Sequence, residues 1–338
     1  MIRNYVRYLS YDTTVDQLRE VFERLFRVTS RAILWVLLSV LVSCANFLEA
    51  APRNVVLVVT DDQGQDAVCY GNPVVQTPHL DALARDGTLL PFAFCTTASC
   101  SASRAVILTG LHNHANGQYG HQHSYHKFNS YHNIISLPVY LRLKGYRTAR
   151  CGKYHVAPES VYHFERVIPS PTRNPVAMAN QCASFLRESD KRPFFLYFCT
   201  SDPHRSGQTT DELPSKPNRF GNPQPGRPGY AGIEEVTYDP TEVLVPGFLP
   251  DTPICREEIA QYYQSVSRID QGLGRLVELL KTSGHWEETL LIYISDHGIA
   301  MPGAKTTLYE GGMRSPCVIQ NPSCVVVPPV KRWSVGWT

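Results

Sequence analysis

Cys100 and Arg104 stand four residues apart in the stretch Ser99–Gly110, SCSASRAVILTG, with small residues between them and an apolar run behind. A thiol, or a group derived from it, at the start of a helix lies in a positive field that favours an anion. Arg104 would share that helical face about one turn away. The pair has a chemical use only if other polar groups gather around it.

Several groups are placed to do so. Asp61 and Asp62 come directly after the apolar run Asn54–Thr60, and Asp296 and His297 come after Thr289–Ser295 in the same way. Open α/β sheets bind ligands at the carboxyl ends of their strands. Two buried strands ending in acids therefore point to one shared metal site. An oxygen-rich set suits a hard cation such as Ca²⁺ or Mg²⁺, while His297 adds a nitrogen and leaves Mn²⁺ or Zn²⁺ open. Lys153 and His155 in CGKYHV, His204 in SDPHRSG and Lys305 in PGAKTTLYEGG form a basic group. Lys153 and His155, two residues apart, would face the same way if that segment is extended. Cations beside a divalent metal equip a site for a compact anion, phosphate or sulfate, whose charge builds up during cleavage.

The elements that must position these residues are legible. NVVLVVT (Asn54–Thr60), PFFLYFCT (Pro193–Thr200) and TLLIYIS (Thr289–Ser295) are continuous apolar runs, as expected of strands buried on both faces of a parallel sheet. YRTARC and TLLPFAF read as further strands. Thr77, Pro78 and Gly87 mark a helix with its cap, first turn and stop. SRAVILTG and LPVYLRLKG read as short helices, and a long helix spans about Arg256–Ser283. Strands alternating with helices predict a mostly parallel α/β sheet. The Pro- and Gly-rich stretch between Ser206 and Pro253 reads as a long surface loop over the sheet edge.

Composition sets bounds on function. A chain of 338 residues with 43% hydrophobic and 18% charged residues is ordinary globular protein. Its net charge of +2 gives no support for a nucleic-acid partner. Ten cysteines show no C-x-x-C spacing, so neither a zinc site nor a disulfide framework is legible. Ala32–Val42, eleven uncharged and mostly apolar residues preceded by Arg24, Arg27 and Arg31, has the length of a secretory h-region. The expectation is an exported protein, periplasmic, cell-surface or secreted, with lipoprotein anchoring at Cys44 as a variant. Six of the twelve histidines, His112, His114, His121, His123, His126 and His132, fall in one short region. That region reads as a substrate-binding rim beside the Cys100 helix, with a second metal site as the other reading.

Together these residues resemble the sulfatase family of the alkaline-phosphatase superfamily. Its signature, C-x-[P or A]-x-R followed by a helix ending in Thr-Gly, is matched by Cys100, Ala102, Arg104, Thr109 and Gly110. The resemblance runs from about Arg53 to Arg314 and implies an α/β fold with a mostly parallel central sheet flanked by helices. It implies hydrolysis of sulfuric esters or sulfamates on a sulfated sugar. It also implies that a maturation enzyme oxidises Cys100 to formylglycine, making the thiol a precursor of the nucleophile. By the same resemblance Asp61, Asp62, Asp296, His297 and the formylglycine hold a divalent cation, Ca²⁺ before Mg²⁺ or Mn²⁺. Arg104 and Lys153 would stabilise the nucleophile and the sulfate, and His155 would take a hydroxyl proton as sulfate is expelled. His204 and Lys305 would contact the sulfate and assist the leaving group.

Stretches such as TPHLDALAR, NGQYGHQHSYHKFNS, GKYHVAPESVY and YDPTEVLVPGFLPDTP are most similar to the sulfamidase branch, which acts on N-sulfated glucosamine. That branch usually carries Arg where this chain has Lys305, and animal sulfatases often carry Asn at the position of His297. Other readings are an O-sulfate ester sulfatase, a phosphonate or phosphodiester hydrolase of the same fold, and a non-catalytic glycan-binding remnant. The expected organisation is an N-terminal extension over 1–50, a catalytic domain over 51–320 and a short tail over 321–338. Family members continue into a small antiparallel-sheet domain, which is expected to be incomplete here.

Overall fold

The computed structural model describes residues 16, 17, 20, 53–206, 213 and 216–323. The apolar segment Ala32–Val42, Cys44 and the tail beyond residue 323 lie outside these. The chain divides into two units, Met1–Pro52 and Arg53–Thr338. In the first, Asp16, Gln17 and Glu20 are helical and exposed. The sheet and the helices around it belong to the second.

Strand β1 (Asn54–Thr60) lies inside a seven-stranded sheet, parallel to β5 (Phe194–Cys199) on one side and β6 (Thr289–Ser295) on the other. β3 (Arg147–Gly152) runs parallel to β5, and β4 (Arg166–Ile168) parallel to β3. At the other edge β7 (Cys317–Gln320) joins β6 antiparallel, and the two-residue β2 (Thr88–Leu89) joins β7 antiparallel. The order is β2-β7-β6-β1-β5-β3-β4. The predicted strand TLLPFAF is thus interrupted: Thr88 and Leu89 pair with β7, the chain turns at Pro91–Phe92, where Pro91 has no N–H to offer a ladder, and Phe94 pairs again only as an isolated bridge to Arg314.

Alternation along β1 explains the two layers. Val56 and Val58 face one side, where they pack with α1 (Pro78–Asp86), α5 (Pro175–Leu186) and α6 (Pro253–Thr282) through Leu80, Met178, Phe185, Ile269 and Leu276. Leu57 and Val59 face the other, against α2 (Cys100–Thr109) and α4 (Leu137–Leu143) through Ala105, Leu108 and Leu141. Between α2 and α4 lies the single turn α3 (Asn113–Asn116), and α7 (Glu310–Met313) precedes β7.

Two local expectations are corrected. Thr77 makes no side-chain cap on α1. Its hydroxyl instead accepts from Val68 N (3.3 Å) and reaches Asp81, while the carboxylate of Asp270 on α6 accepts from His79 N (3.0 Å) and Leu80 N (2.8 Å). The acid suits the positive helix end, and it ties two helices together. Asp270→Asn replaces one of the two acceptors by an amide donor, so unfolding stability is expected to fall by about 1–2 kcal/mol. Urea titration measures it, and an unchanged midpoint would show that the cap is dispensable. The second correction concerns the Pro- and Gly-rich loop. It packs against α6, not over the sheet edge, with Phe220, Val243 and Leu249 buried among Ile259, Tyr262 and Val266.

Candidate active site

The parallel strands converge on one cleft. Register pairs Thr60 with Ser295, so Asp61–Asp62 and Asp296–His297 leave adjacent strand ends side by side. Asp62 takes a left-handed conformation (φ 65°), which turns its N–H toward Asp296 Oδ1 at 3.0 Å. The first turn of α2 abuts these acids. The hydroxyl of Ser103 donates to the backbone oxygen of Asp296. Arg104, 0% exposed, sets Nε 3.0 Å from Asp296 Oδ2 and a terminal nitrogen 3.6 Å from Asp61 Oδ1. Cys100, 1% exposed, holds its Sγ 3.6 Å from Asp62 Oδ1 and 3.4 Å from His297 Nε2.

The ends of β3 and β5 close the other side. Gly152 has φ 87°, and a Cβ there would lie 2.0 Å from the Cys199 carbonyl, so only glycine lets the chain turn after β3. The turn carries the Lys153 ammonium onto Asp61 Oδ2. His155 is left-handed too (φ 57°), so the extended geometry expected for Lys153–His155 does not hold. Its ring meets His123, not the aspartates, although both Lys153 and His155 line the same cavity. Lys305 Nζ donates to both carboxylate oxygens of Asp62, at 2.9 and 2.7 Å, and His204 Nε2 stands 3.7 Å from Asp62 Oδ2. Every catalytic or metal-ligating residue expected from the sequence is therefore in or directly behind one cavity of about 960 Å³. His121 and His123 reach it as well, whereas His112, His114, His126 and His132 are not among its lining residues.

Burial and charge set the protonation states. Burial works against ionisation of Asp61, yet Lys153, His204 and Arg104 hold its carboxyl well below the usual range. Asp62 is likewise lowered: burial and the neighbouring Asp61 oppose its charge, and His297 and Lys305 outweigh them. Burial, then Lys153 and Arg104, press His155 down to about 3, so its imidazole is neutral near pH 7. His204 is lowered mainly by burial. Burial is the largest single influence on Lys305 and disfavours its charge, but Asp62, Cys100 and Asp61 together outweigh it, and it stays an ammonium.

The sulfatase family model matches residues 53–323. The chain belongs to the sulfatase family. Human N-sulphoglucosamine sulphohydrolase is 40% identical over 291 residues, covering 84% of this chain and 57% of the human protein. The chain thus spans little more than half the length of that relative. Among solved structures, YidJ of Bacteroides fragilis superposes with a TM-score of 0.63 at 21% identity, covering 81% of this chain and 70% of that one. Phosphonate monoester hydrolase of Agrobacterium radiobacter gives a TM-score of 0.58 at 20% identity, covering 80% and 68%. These likenesses bear out the expected mostly parallel α/β sheet flanked by helices.

Sulfatases generally use a formylglycine and a divalent metal, and this site fits the metal. Ligand atoms of Asp62, Cys100, Asp296 and His297 lie within 4.8 Å of one another, all buried. Asp61 Oδ1 is buried with no hydrogen-bond partner, a donor left over for an ion. His297 Nδ1 is 3.0 Å from the Gly298 carbonyl, which fixes the ring so that Nε2 faces the carboxylates.

Sequence reasoning missed Arg173. Its guanidinium bonds Asp202 Oδ1 at 2.6 Å and the His204 carbonyl at 2.9 Å, and it lines the cavity. SPTRNP carries no ligand-type pattern, so nothing local marks it. Asp202, by contrast, sits beside His204 in SDPHRSG, and a buried acid beneath that histidine could have been suspected.

Proposed function

We propose that this chain is a formylglycine-dependent sulfatase that removes sulfate from a sulfated sugar, N-sulfated glucosamine first. The observation that carries the reading is the placement of Cys100. It stands at the first turn of α2 against Asp62 and His297, behind a cavity whose rim holds Lys153, Arg173, Arg205 and Lys305. A cavity of about 960 Å³ suits a sugar-sized ligand. Among the described residues Asp61 is the one acid lining it, against the cations Lys153, Arg173, Arg205 and Lys305, which favours an anion. The 40% identity to the human sulphohydrolase supports glucosamine N-sulfate over an O-sulfate.

Asp61, Asp62, Asp296 and His297 would hold the divalent cation, with Ca²⁺ preferred because three of the four are carboxylates. The cation and the formylglycine made from Cys100 by a maturation enzyme supply charge stabilisation and the nucleophilic oxygen when present. The remaining work belongs to this chain's side chains. Arg104 fixes Asp61 and Asp296 in place and adds positive charge at the base of the site. Lys153 and Lys305 stay cationic and neutralise sulfate oxygens. His155, neutral near pH 7, is able to receive a proton on its imidazole. His204, held by Arg173 through its carbonyl, faces the same space to contact the leaving group, and Lys305, which stays an ammonium, is the one of the two that carries a proton for the leaving amine.

Export is proposed from Ala32–Val42 and its preceding arginines, and residues 51–320 are proposed as the catalytic domain. Sequencing the mature N-terminus tests the first.

The test is made on protein from its native host. The mass of the Cys100 peptide should show aldehyde in place of thiol, and turnover of N-sulfated glucosamine should exceed that of its 6-O-sulfated isomer. EDTA should abolish both, and added Ca²⁺ should restore them. An unmodified thiol in folded protein overturns the catalytic reading, and a preference for the O-sulfate overturns the substrate.

A further inference from the structure

We propose that His121, His123 and His155 form a second metal site at the cavity mouth, one for a borderline transition cation such as Zn²⁺. One nitrogen from each of the three rings lies within 4.8 Å of the others. The rings lie close together: His123 and His155 stack with centroids 4.6 Å apart, His121 and His155 stack at 5.7 Å, and His121 and His123 are tilted by 31° at 4.9 Å. Nδ1 of His121 and Nδ1 of His155 are buried with no hydrogen-bond partner. Buried ring nitrogens without partners are unusual, and each costs free energy unless a ligand or ion claims it.

The donors decide the class of ion. Three imidazoles and no carboxylate suit Zn²⁺, whereas Ca²⁺ and Mg²⁺ want oxygen. His121 and His155 both have their acidity shifted toward the neutral ring, by burial first, then by the neighbouring His123 and Lys305 at His121 and by Lys153 and Arg104 at His155. Neutral rings are the form that ligates metal. The cations nearby, Lys153 and Lys305, are each paired with a carboxylate, Asp61 and Asp62, which offsets their repulsion of a second dication. Three protein donors with His123 exposed leave a coordination position open toward the cavity, as in zinc sites that take water or an anion.

The histidine loop is built to hold this arrangement. Gln122 N donates to Ser101 Oγ on α2 at 3.1 Å, and Phe128 N donates to the His121 carbonyl at 3.1 Å. Gln118 Nε2 bridges the carbonyls of Gly120 (2.8 Å) and Phe128 (2.9 Å). A loop fixed at both ends keeps His121 and His123 aimed at His155 before any ion arrives. The three share no residue with the Asp61–Asp62–Asp296–His297 set. Since His155 also belongs to the proposed proton path, Zn²⁺ here would inhibit turnover. That consequence rests on the proposed sulfatase chemistry; the binding does not.

The test titrates Zn²⁺ calorimetrically into the full chain with Ca²⁺ saturating, comparing wild type, Cys100→Ala and His123→Ala. Expected is one Zn²⁺ per chain, retained in Cys100→Ala and weakened at least about tenfold in His123→Ala. Unchanged affinity in His123→Ala, or its loss in Cys100→Ala, overturns the site. Co²⁺ substituted for Zn²⁺ should give a visible band that His121→Asn also removes. In turnover assays Zn²⁺ should inhibit wild type, with His123→Ala needing at least about tenfold more. Binding without inhibition leaves the metal site standing and overturns the inhibitory consequence, separating it from the catalytic reading.

Discussion

Cys100→Ala is expected to lower kcat on a sulfated sugar by on the order of 10⁴-fold or more, with a folded protein and unchanged metal affinity to within about tenfold. The size of the loss comes from the role of the position. Removing a nucleophile leaves only binding and charge stabilisation, which in hydrolases account for a small remainder of the rate. The fold should survive because only one sulfur atom is deleted from a tightly packed helix start, a change of about 1 kcal/mol. Arg104 and Ser103 keep α2 attached to Asp296 in the variant. Single-turnover kinetics with matched thermal melts would measure both quantities. Turnover within tenfold of wild type would remove Cys100 from the chemistry and leave an anion-binding cleft without its reagent.

The chemistry was more legible than the architecture around it. Asp61, Asp62, Asp296 and His297 declared themselves because buried parallel strands read as unbroken apolar runs, and the residues just after such a run lie at the ligand-binding edge. The same logic found Lys153, His204 and Lys305. It failed for the orientation of His155, whose left-handed backbone comes from the turn after Gly152 and not from any periodicity. β4 and β7 are three and four residues long, too short for alternation to show. Helix α5 was legible in principle: Asn174 caps it by accepting from Ala177 N at 3.0 Å, Pro175 comes next, and Met178, Ala179, Cys182, Phe185 and Leu186 make one stripe. The joining of His121 and His123 to His155 could not be read at all, since it depends on a loop from α3 meeting the end of β3. Local sequence marks strand ends and helix faces, but it does not say which loops meet.

Arg268→Met should cost about 3–5 kcal/mol of folding stability, the range for breaking a buried ion pair by removing one partner. Arg268 is 1% exposed in the middle of α6. Its guanidinium bonds Asp202 Oδ2 at 2.7 Å, Asn222 Oδ1 at 2.8 Å, the Phe220 carbonyl at 3.0 Å and Ser265 Oγ at 3.1 Å, with the Tyr230 ring 4.9 Å away. Methionine keeps much of the volume, so the loss reports stranded acceptors and not a cavity. Asp202 would retain Arg173 alone, at 2.6 Å, in a site closed to water. The damage should reach the active cavity by a traceable route. The Asp202 carbonyl accepts from Asp61 N at 3.1 Å, and Arg173 holds the His204 carbonyl, so both ends of the cleft lean on one residue. Denaturant titration of Arg268→Met, Asp202→Asn and the double variant would separate these effects. The charge-neutral double variant should recover at least about 1 kcal/mol relative to the sum of the singles, the signature of coupled neighbours. Additive losses would mean that Arg268 stabilises the loop through Asn222 and Phe220, and that Asp202 draws its support from Arg173.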